Sequence, residues 1–507
     1  MILWNKVYSP IKEKKIKIIF MKNNPTLLII LDGYGYSEST EHNAVAQADT
    51  PHLHNWFKNY PHALLQASGS AVGLVDGVMG NSEVGHMTIG AGEILPQPLT
   101  ILNTMVQTHS LDTDQTLTEA YNTLNNADNS LHIIGLLSDA GVHAHIDHMV
   151  AFVKSAIANR VKRIYVHVIL DGRDVPPQSA LLYLDRLQKE LDNFKNVQIA
   201  SVHGRFYAMD RDNNSDRIEE SLSVLFGHVD PEDKDAQAVV EDSYLERVTD
   251  EFIVPTLLTS DGVIRPGDGV IFCNFRADRA RQLTKGLLDT VDLSFFVTPV
   301  QYHPDLATIS LIERPVADNT LLEQLTKDDL SIFTIAETEK YAHVTYFFNN
   351  GREDKYDNEV RVLVPSIKIQ DYTKEPCMSA KEITEIVLDS LETNPKDFYI
   401  INFANADMVG HSGNFDATKK ALECLDSELE KLFEQAVTKM DGTMYITSDH
   451  GNAEVMYDNE SRQPATSHTT SPVPFMMLKK TLANKPHTLP LSGLKDIASF
   501  IIKNIKD

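Results

Sequence analysis

Acidic, imidazole and hydroxyl side chains recur in this 507-residue chain directly after short apolar runs. Asp32 follows Thr26 to Leu31, Asp407-Met-Val-Gly-His411 comes just after Phe398 to Phe403, and Asp449-His450 comes just after Thr443 to Thr447. Ser467-His468-Thr469 lies in a later polar loop. These are oxygen and imidazole donors with no thiolate among them, a set that suits manganese, zinc or a similar divalent ion. Asp407 and His411, four residues apart, face one ion if their turn is helical. Taken singly, an Asp after a strand is most often a helix cap or turn residue, and a lone His is most often packed or surface-exposed. Taken together, all at strand ends, they favour a two-metal centre.

Ser82 stands in Met79-Gly-Asn-Ser-Glu-Val-Gly-His-Met87, ahead of a helical segment. Helix amides and a neighbouring metal would depress its pKa, which are the ingredients of an activated nucleophile. The plainer reading makes Ser82 an N-cap. The metal-ligand set tips the balance, because a serine oxygen on a divalent cation is suited to in-line displacement at phosphorus.

A third group decides the substrate class. Arg173 follows Asp171-Gly172, Arg205 and Arg211 flank Phe206 to Asp210, Arg276 and Arg279 share one loop, and Lys340 lies in Ala336 to Lys340. Arginine's planar fork matches phosphate and carboxylate oxygens, so several forks together require a ligand with more than one anionic group. The competing reading pairs each with a neighbouring Asp (Asp174, Asp210, Asp278) as a surface ion pair of little value. It fits poorly when several loops after buried strands all carry arginine. His143 is a candidate for phosphate contact or proton shuttling, beside the reading as a plain loop histidine. Asp174 is a candidate acid/base for a substrate hydroxyl, and its rival role is only to orient Arg173.

The elements that must position these groups read as α/β. Strands are expected at Thr26 to Leu31, His132 to Leu137, Arg163 to Leu170, Val197 to Val202, Gly269 to Cys273, Phe398 to Phe403 and Thr443 to Thr447. Nearly continuous apolar runs suit strands buried on both faces of a mainly parallel sheet. Helix-period segments lie between, at Ile146 to Ala158, Ala180 to Leu191 and Ala417 to Val437. Ligands of such sheets bind beyond the carboxyl ends of the strands. Pro-marked crossings are expected near Gln97-Pro98 and Arg314-Pro315.

Composition narrows the classes. At about 150 residues per domain the chain should hold two or three domains. Hydrophobic residues at 42% and charged residues at 23% are ordinary globular values. The net charge of −25 disfavours nucleic acid and anionic lipid as partners. Cys273, Cys377 and Cys424 form no even-numbered framework, which suits a reducing compartment with the cytosol as the default. No apolar run approaches the about 18 residues needed to cross a bilayer. Residues 1–20 are basic without a small-residue cleavage site, and Met21 is favoured as the physiological start.

Together the motifs resemble the cofactor-independent phosphoglycerate mutases of the alkaline phosphatase superfamily, from about Leu27 to the C-terminus. The resemblance rests on Leu31-Asp-Gly-Tyr-Gly35, Gly80-Asn-Ser-Glu-Val-Gly-His86, Asp171-Gly-Arg-Asp174, Gly204 to Asp212, Asn274 to Arg279 and Asp449-His-Gly-Asn452, in that order. It implies an α/β fold of two domains: an alkaline-phosphatase-like, mainly parallel sheet flanked by helices (1–96 plus 316–507) and an inserted α/β phosphotransferase domain (97–315). It implies that Asp407, His411 and His468 hold one manganese, while Asp32, Ser82, Asp449 and His450 surround the other. Ser82 would take the phosphoryl group as phosphoserine. Glycerate would reorient among His143, Arg173, Asp174, Arg205, Arg211, Arg276 and Arg279, with Lys340 stabilising the phosphoryl in transit. Ala406, where the family usually has proline, Ala140 and Ala144 beside His143, and Ser448 depart from its pattern, and none removes a ligand or a charge.

The expectation is therefore interconversion of 3-phosphoglycerate and 2-phosphoglycerate in glycolysis and gluconeogenesis, with two Mn2+ per chain and no 2,3-bisphosphoglycerate. The partner would be the small-molecule substrate alone, in a cytoplasmic monomer whose domains close on binding. The alternatives are a related metal-dependent phosphatase or phosphomutase, and an acidic metal-storage or scaffold protein, which would leave Ser82 and the arginines unexplained. The strongly negative total is no obstacle to an anionic substrate, since the cations that matter gather at strand ends.

Overall fold

Thr26–Leu31 is buried at all six positions, because a run with no polar interruption must have apolar neighbours on both faces. Leu27, Ile29 and Leu31 join one apolar cluster and Leu28 and Ile30 another, the period-two alternation of a strand at the centre of a sheet. In the computed structural model, which describes residues 24–313, 315–459 and 461–506, the chain divides into two compact units. The split unit is Met1–Leu95 with Val316–Asp507, and the inserted unit is Pro96–Pro315. Residues 1–20, expected as an extension before Met21, lie outside the described residues, as does Arg314.

The split unit is built on a seven-stranded sheet in the order Glu359–Val364, Ile332–Glu337, Phe398–Phe403, Thr26–Leu31, Thr443–Thr447, Val473–Lys479, His62–Leu65. The first five are parallel, and the last two each run antiparallel to the strand before them in this order. Four adjacent strands thus discharge their carboxyl ends at one edge, delivering Lys340, Asp407, Asp32 and Asp449 there.

The inserted unit has its own seven-stranded sheet, ordered Thr256–Leu257, Val197–Gly204, Ile164–Leu170, Leu131–Leu137, Gly269–Phe272, Phe295–Thr298, Ile309–Ser310. All but the first strand are parallel. Helices Ile146–Ala158 and Ala180–Leu191 occupy their expected spans. The segment expected as one helix from Ala417 instead starts at Phe415, capped by Asn414, and ends its α-helical part at Phe433, passing into a wider turn over Glu434–Lys439. The fold is mixed α/β with mostly parallel sheets flanked by helices. Among the described residues no helix is long and apolar enough to cross a membrane.

Cysteine spacing predicted no disulfide, and here the structure differs. Cys377 and Cys424 are joined, with Cα atoms 5.5 Å apart, while Cys273 is free and buried. A separation of 47 residues conceals a neighbourhood that only the packing of Phe415–Phe433 against the turn before Ala380 creates.

Candidate active site

Ser82 opens the helix Ser82–Ala91, but the cap is Asn81, whose side chain accepts from the Val84 amide at 3.1 Å. The reading of Ser82 as an N-cap is therefore corrected, and its hydroxyl is free for other partners. Ser82 Oγ donates to Asp32 Oδ1 at 3.1 Å, lies 3.0 Å from His450 Nε2 and accepts from Lys340 Nζ at 2.7 Å. The same ammonium donates to Asp32 Oδ1 and Asp407 Oδ2, each at 2.7 Å. Such proximity demands glycine at two points. A Cβ on Gly85 would lie 2.5 Å from the Asp449 carbonyl oxygen, and Gly33, at φ +74°, would press one within 2.8 Å of Asp407.

The donor atoms fall into two groups, Asp407/His411/His468 and Asp32/Asp449/His450, each with its ligand atoms within 4.8 Å of one another. Hydrogen bonding orients them for a cation. His411 Nδ1 lies 2.7 Å from the Thr466 carbonyl and His468 Nδ1 lies 2.9 Å from that of Gly80. Carbonyls can only accept, so both rings carry the proton on Nδ1 and turn an Nε2 lone pair inward. The two Nε2 atoms face each other at 3.1 Å and Asp407 Oδ1 at 3.2 Å, an arrangement a shared cation satisfies. In the second group Asp449 Oδ2 is buried without a hydrogen-bond partner. The residues fit two divalent ions with oxygen and imidazole ligands.

Electrostatics agree with that donor set. Burial opposes ionisation of Asp32 and Asp407, yet the Lys340 ammonium and the surrounding imidazoles hold both carboxyls well below the usual range. Burial pushes the His450 imidazole down, but Asp449, Asp32 and Asp407 outweigh it and raise it to about 9. Burial likewise opposes the Lys340 charge, and the same three carboxylates hold it above the ordinary lysine value. So dense a knot of negative charge in a buried site calls for cations.

In the inserted unit Arg205 is the organising residue. Its side chain is 3% exposed, and Nη1 donates to Asp171 Oδ1 at 2.6 Å and Asp174 Oδ2 at 2.7 Å. Asp174 thus serves Arg205 and not, as the rival reading had it, Arg173, whose partner is Glu251 at 3.3 Å. Arg211 and Arg276 share Asp278, at 3.5 and 3.2 Å, while Asp210 is taken by Arg217 and the turn at Asn214. Arg279 donates to the Met209 carbonyl. Its guanidinium is lowered first by burial and then by Arg211, Arg205 and Arg173, the signature of like charges converging. His143 lies between Asp174 and Asp278, at 3.8 and 3.7 Å, with Nδ1 unpartnered. Burial, then Arg205, pushes it down to about 4, so it is neutral at pH 7. Five carboxylate oxygens cannot saturate five guanidiniums, which leaves donors for a polyanion.

Sequence reasoning assigned no role to His86, Asn402 or Asp171. His86 and Asp171 stand inside the motifs quoted above, and Asn402 is the lone amide in an apolar strand buried on both faces. That interruption was the available signal.

Two groups of candidate metal ligands beside a buried serine fit a metalloenzyme, and the sequence model of the Metalloenzyme superfamily matches residues 24–506. The 2,3-bisphosphoglycerate-independent phosphoglycerate mutase of Legionella pneumophila is 44% identical over 467 residues, covering 90% of each chain. That of Clostridium novyi is 43% identical over 503 residues, covering 96% of this chain and 97% of its own. The solved structure of Leishmania mexicana phosphoglycerate mutase at low cobalt concentration superposes with a TM-score of 0.68 at 31% identity over 95% of both chains. The chain belongs to the 2,3-bisphosphoglycerate-independent phosphoglycerate mutases, within that superfamily, and is an isomerase.

Proposed function

We propose that the protein interconverts 3-phosphoglycerate and 2-phosphoglycerate in glycolysis and gluconeogenesis, through a phosphoserine at Ser82 and without 2,3-bisphosphoglycerate. The observation that carries this reading is Ser82 Oγ lying within 3.1 Å of Lys340, Asp32 and His450 at once. Asp407, His411 and His468 would hold one Mn2+, and Asp32, Ser82, Asp449 and His450 the other. Bound there, the ions supply Lewis acidity toward phosphoryl oxygens and toward the serine hydroxyl.

The chain's own groups do the rest. Lys340 donates into Oγ and so favours the oxyanion needed for attack. Arg173, Arg205, Arg211, Arg276 and Arg279 bind the carboxylate and phosphate of the substrate, with His143 as a neutral donor among them. Asp174, fixed by Arg205, handles the proton of the glycerate hydroxyl that leaves or attacks. The split unit would thus be the phosphatase-like metal-binding domain and the inserted unit the phosphotransferase domain. The rest of the reading is a cytoplasmic monomer acting on a small molecule, with no nucleic-acid or membrane partner.

An enolase-coupled assay without added bisphosphoglycerate tests the reading. Turnover from 3-phosphoglycerate is expected, lost on chelation and restored by Mn2+. Release of inorganic phosphate without 2-phosphoglycerate would instead assign a phosphatase.

A further inference from the structure

His86 lies four residues after Ser82 on the same helix, is fully buried, and takes no part in either group of metal ligands. Its Nδ1 lies 2.8 Å from the Ser82 carbonyl and 3.1 Å from Asp449 Oδ2, both acceptors, so Nδ1 carries the proton. Nε2 is then a lone pair, and it faces Asn402 Nδ2 at 3.0 Å. The second hydrogen of that amide goes to Asp32 Oδ2 at 2.9 Å. One ring therefore hydrogen-bonds the turn of Ser82 and, through Asn402, reaches Asp32, while its Nδ1 lies against Asp449 Oδ2 as a close polar contact without a hydrogen bond. The assignment is unique: the other tautomer would set a lone pair against two acceptors and a proton against a donor.

We propose that His86 is a positioning residue, which with Asn402 holds Ser82, Asp32 and Asp449 as one rigid unit around a single metal-binding group. Partners of this kind fix the rotamer of a ligand before the cation arrives, and so raise both affinity and the fraction of correctly aimed nucleophile. These hydrogen bonds and the close approach to Asp449 lie only on the Asp32/Asp449/His450 side. Asp407 takes its own support from Asn452, whose Nδ2 donates to Oδ1 at 3.2 Å. The effect of losing His86 should therefore be confined to one of the two groups.

The inference rests on the proposed function only for what the serine does, and its test has a readout that does not need the reaction. Mn2+ binding to the whole protein is followed by equilibrium dialysis and electron paramagnetic resonance, beside mutase kinetics. For His86→Ala, one of two Mn2+ sites should weaken by about 10–100-fold while the other is unchanged. The kcat should fall by a similar factor with KM for phosphoglycerate within about two-fold. Asn402→Ala, which keeps the ring but cuts the link to Asp32, should weaken the same site, and it carries the test if His86→Ala does not fold. His86→Asn, whose amide nitrogen overlays Nδ1, should recover part of the lost affinity. Folded variants with both Mn2+ sites and kcat unchanged overturn the proposal, as does equal weakening of both sites. Selective weakening of one site in a protein that shows no mutase activity would support the positioning role while sinking the functional reading.

Discussion

The candidate metal-ligand groups of the split unit and the sheet of the inserted unit place histidine in opposite environments. In the candidate metal-ligand groups of the split unit, imidazoles sit among carboxylates that favour the proton: His450 is raised to about 9 against its own burial, and Asp407 raises His411, while outside those groups burial lowers His343 to about 4. In the inserted unit, histidines lie inside the sheet, and burial lowers them, His203 to about 3. There His203 Nε2 meets Ser201 Oγ at 2.7 Å, which meets His167 Nδ1 at 2.7 Å. His167 Nε2 then meets His132 Nδ1 at 3.0 Å, and His132 Nε2 meets Asp268 at 3.2 Å. With every ring neutral, each member donates to the next and the chain ends on the carboxylate. The same side chain thus holds a proton where negative charge is concentrated, and is an uncharged link where it is scarce.

The charges differ in the same sense. Asp32, Asp407, Asp449 and His450 are buried and mutually fixed, with His411 exposed at their edge, whereas Arg173, Arg211 and Arg276 are each more than half exposed, and of the five arginines only Arg205 is buried. A site that must hold a cation can be rigid. The proposed substrate site, in contrast, keeps guanidinium donors that its own side chains do not fill.

Substitutions separate the two regions most sharply at Ser82. Ser82→Ala should lower kcat by about 10⁴-fold or more while leaving the thermal unfolding of the protein unchanged, read by coupled assay and calorimetry. Retention of substantial turnover would remove the covalent step. Next in size, Arg205→Ala should cost the inserted unit about 3 kcal/mol in denaturant titrations, because Asp171 and Asp174 lose their buried partner. It should also depress kcat/KM, and a wild-type unfolding curve would show that the pair contributes no net stability.

Acid should divide the units by a smaller amount. Free imidazole titrates near about 6.5, whereas burial lowers His132, His167 and His203 in the fold. The unfolded chain therefore binds protons first. The contribution of these groups is complete above about pH 6.5, begins to fall as pH drops through that value, and is fully lost only below their folded values. Thermal unfolding of the inserted unit should fall by roughly 3 °C or more from pH 7 to pH 5. His203→Gln should flatten that slope, and a slope unchanged by it would break the contrast between the units. The smallest effect is expected at Arg276→Ala. Its pair with Asp278 is exposed, so stability should change by less than about 0.5 kcal/mol. Loss of a charge-assisted contact should still raise KM about tenfold.

Much of this was legible in the residues. The runs before Asp32, Asp407 and Asp449 form strands because their largely apolar and aromatic side chains leave neither face of a lone strand content in water. Other elements were not legible. Ile332–Glu337, which carries Lys340, reads as a mixed segment until its neighbours cover it. Val473–Lys479 turns antiparallel, a choice of connection and not of composition. Adjacency found the partner of Arg276, Asp278, but mispaired Asp174, which sits next to Arg173 in the chain and accepts from Arg205 across the strand ends.

By itself the sequence determined the α/β class, the residues capable of metal and phosphate chemistry and, through the order of long motifs, the family. The class follows from local period and the family from a resemblance carried by the ordered motifs, both readable wherever the side chains lie. The tertiary structure decided which atoms face one another: Asn81 and not Ser82 as the cap, Lys340 on the serine oxygen, Arg205 between Asp171 and Asp174, and His86 behind Ser82. Hydrogen bonds act over about 3 Å. Residues hundreds of positions apart reach that range only when parallel strands bring their carboxyl ends to one edge.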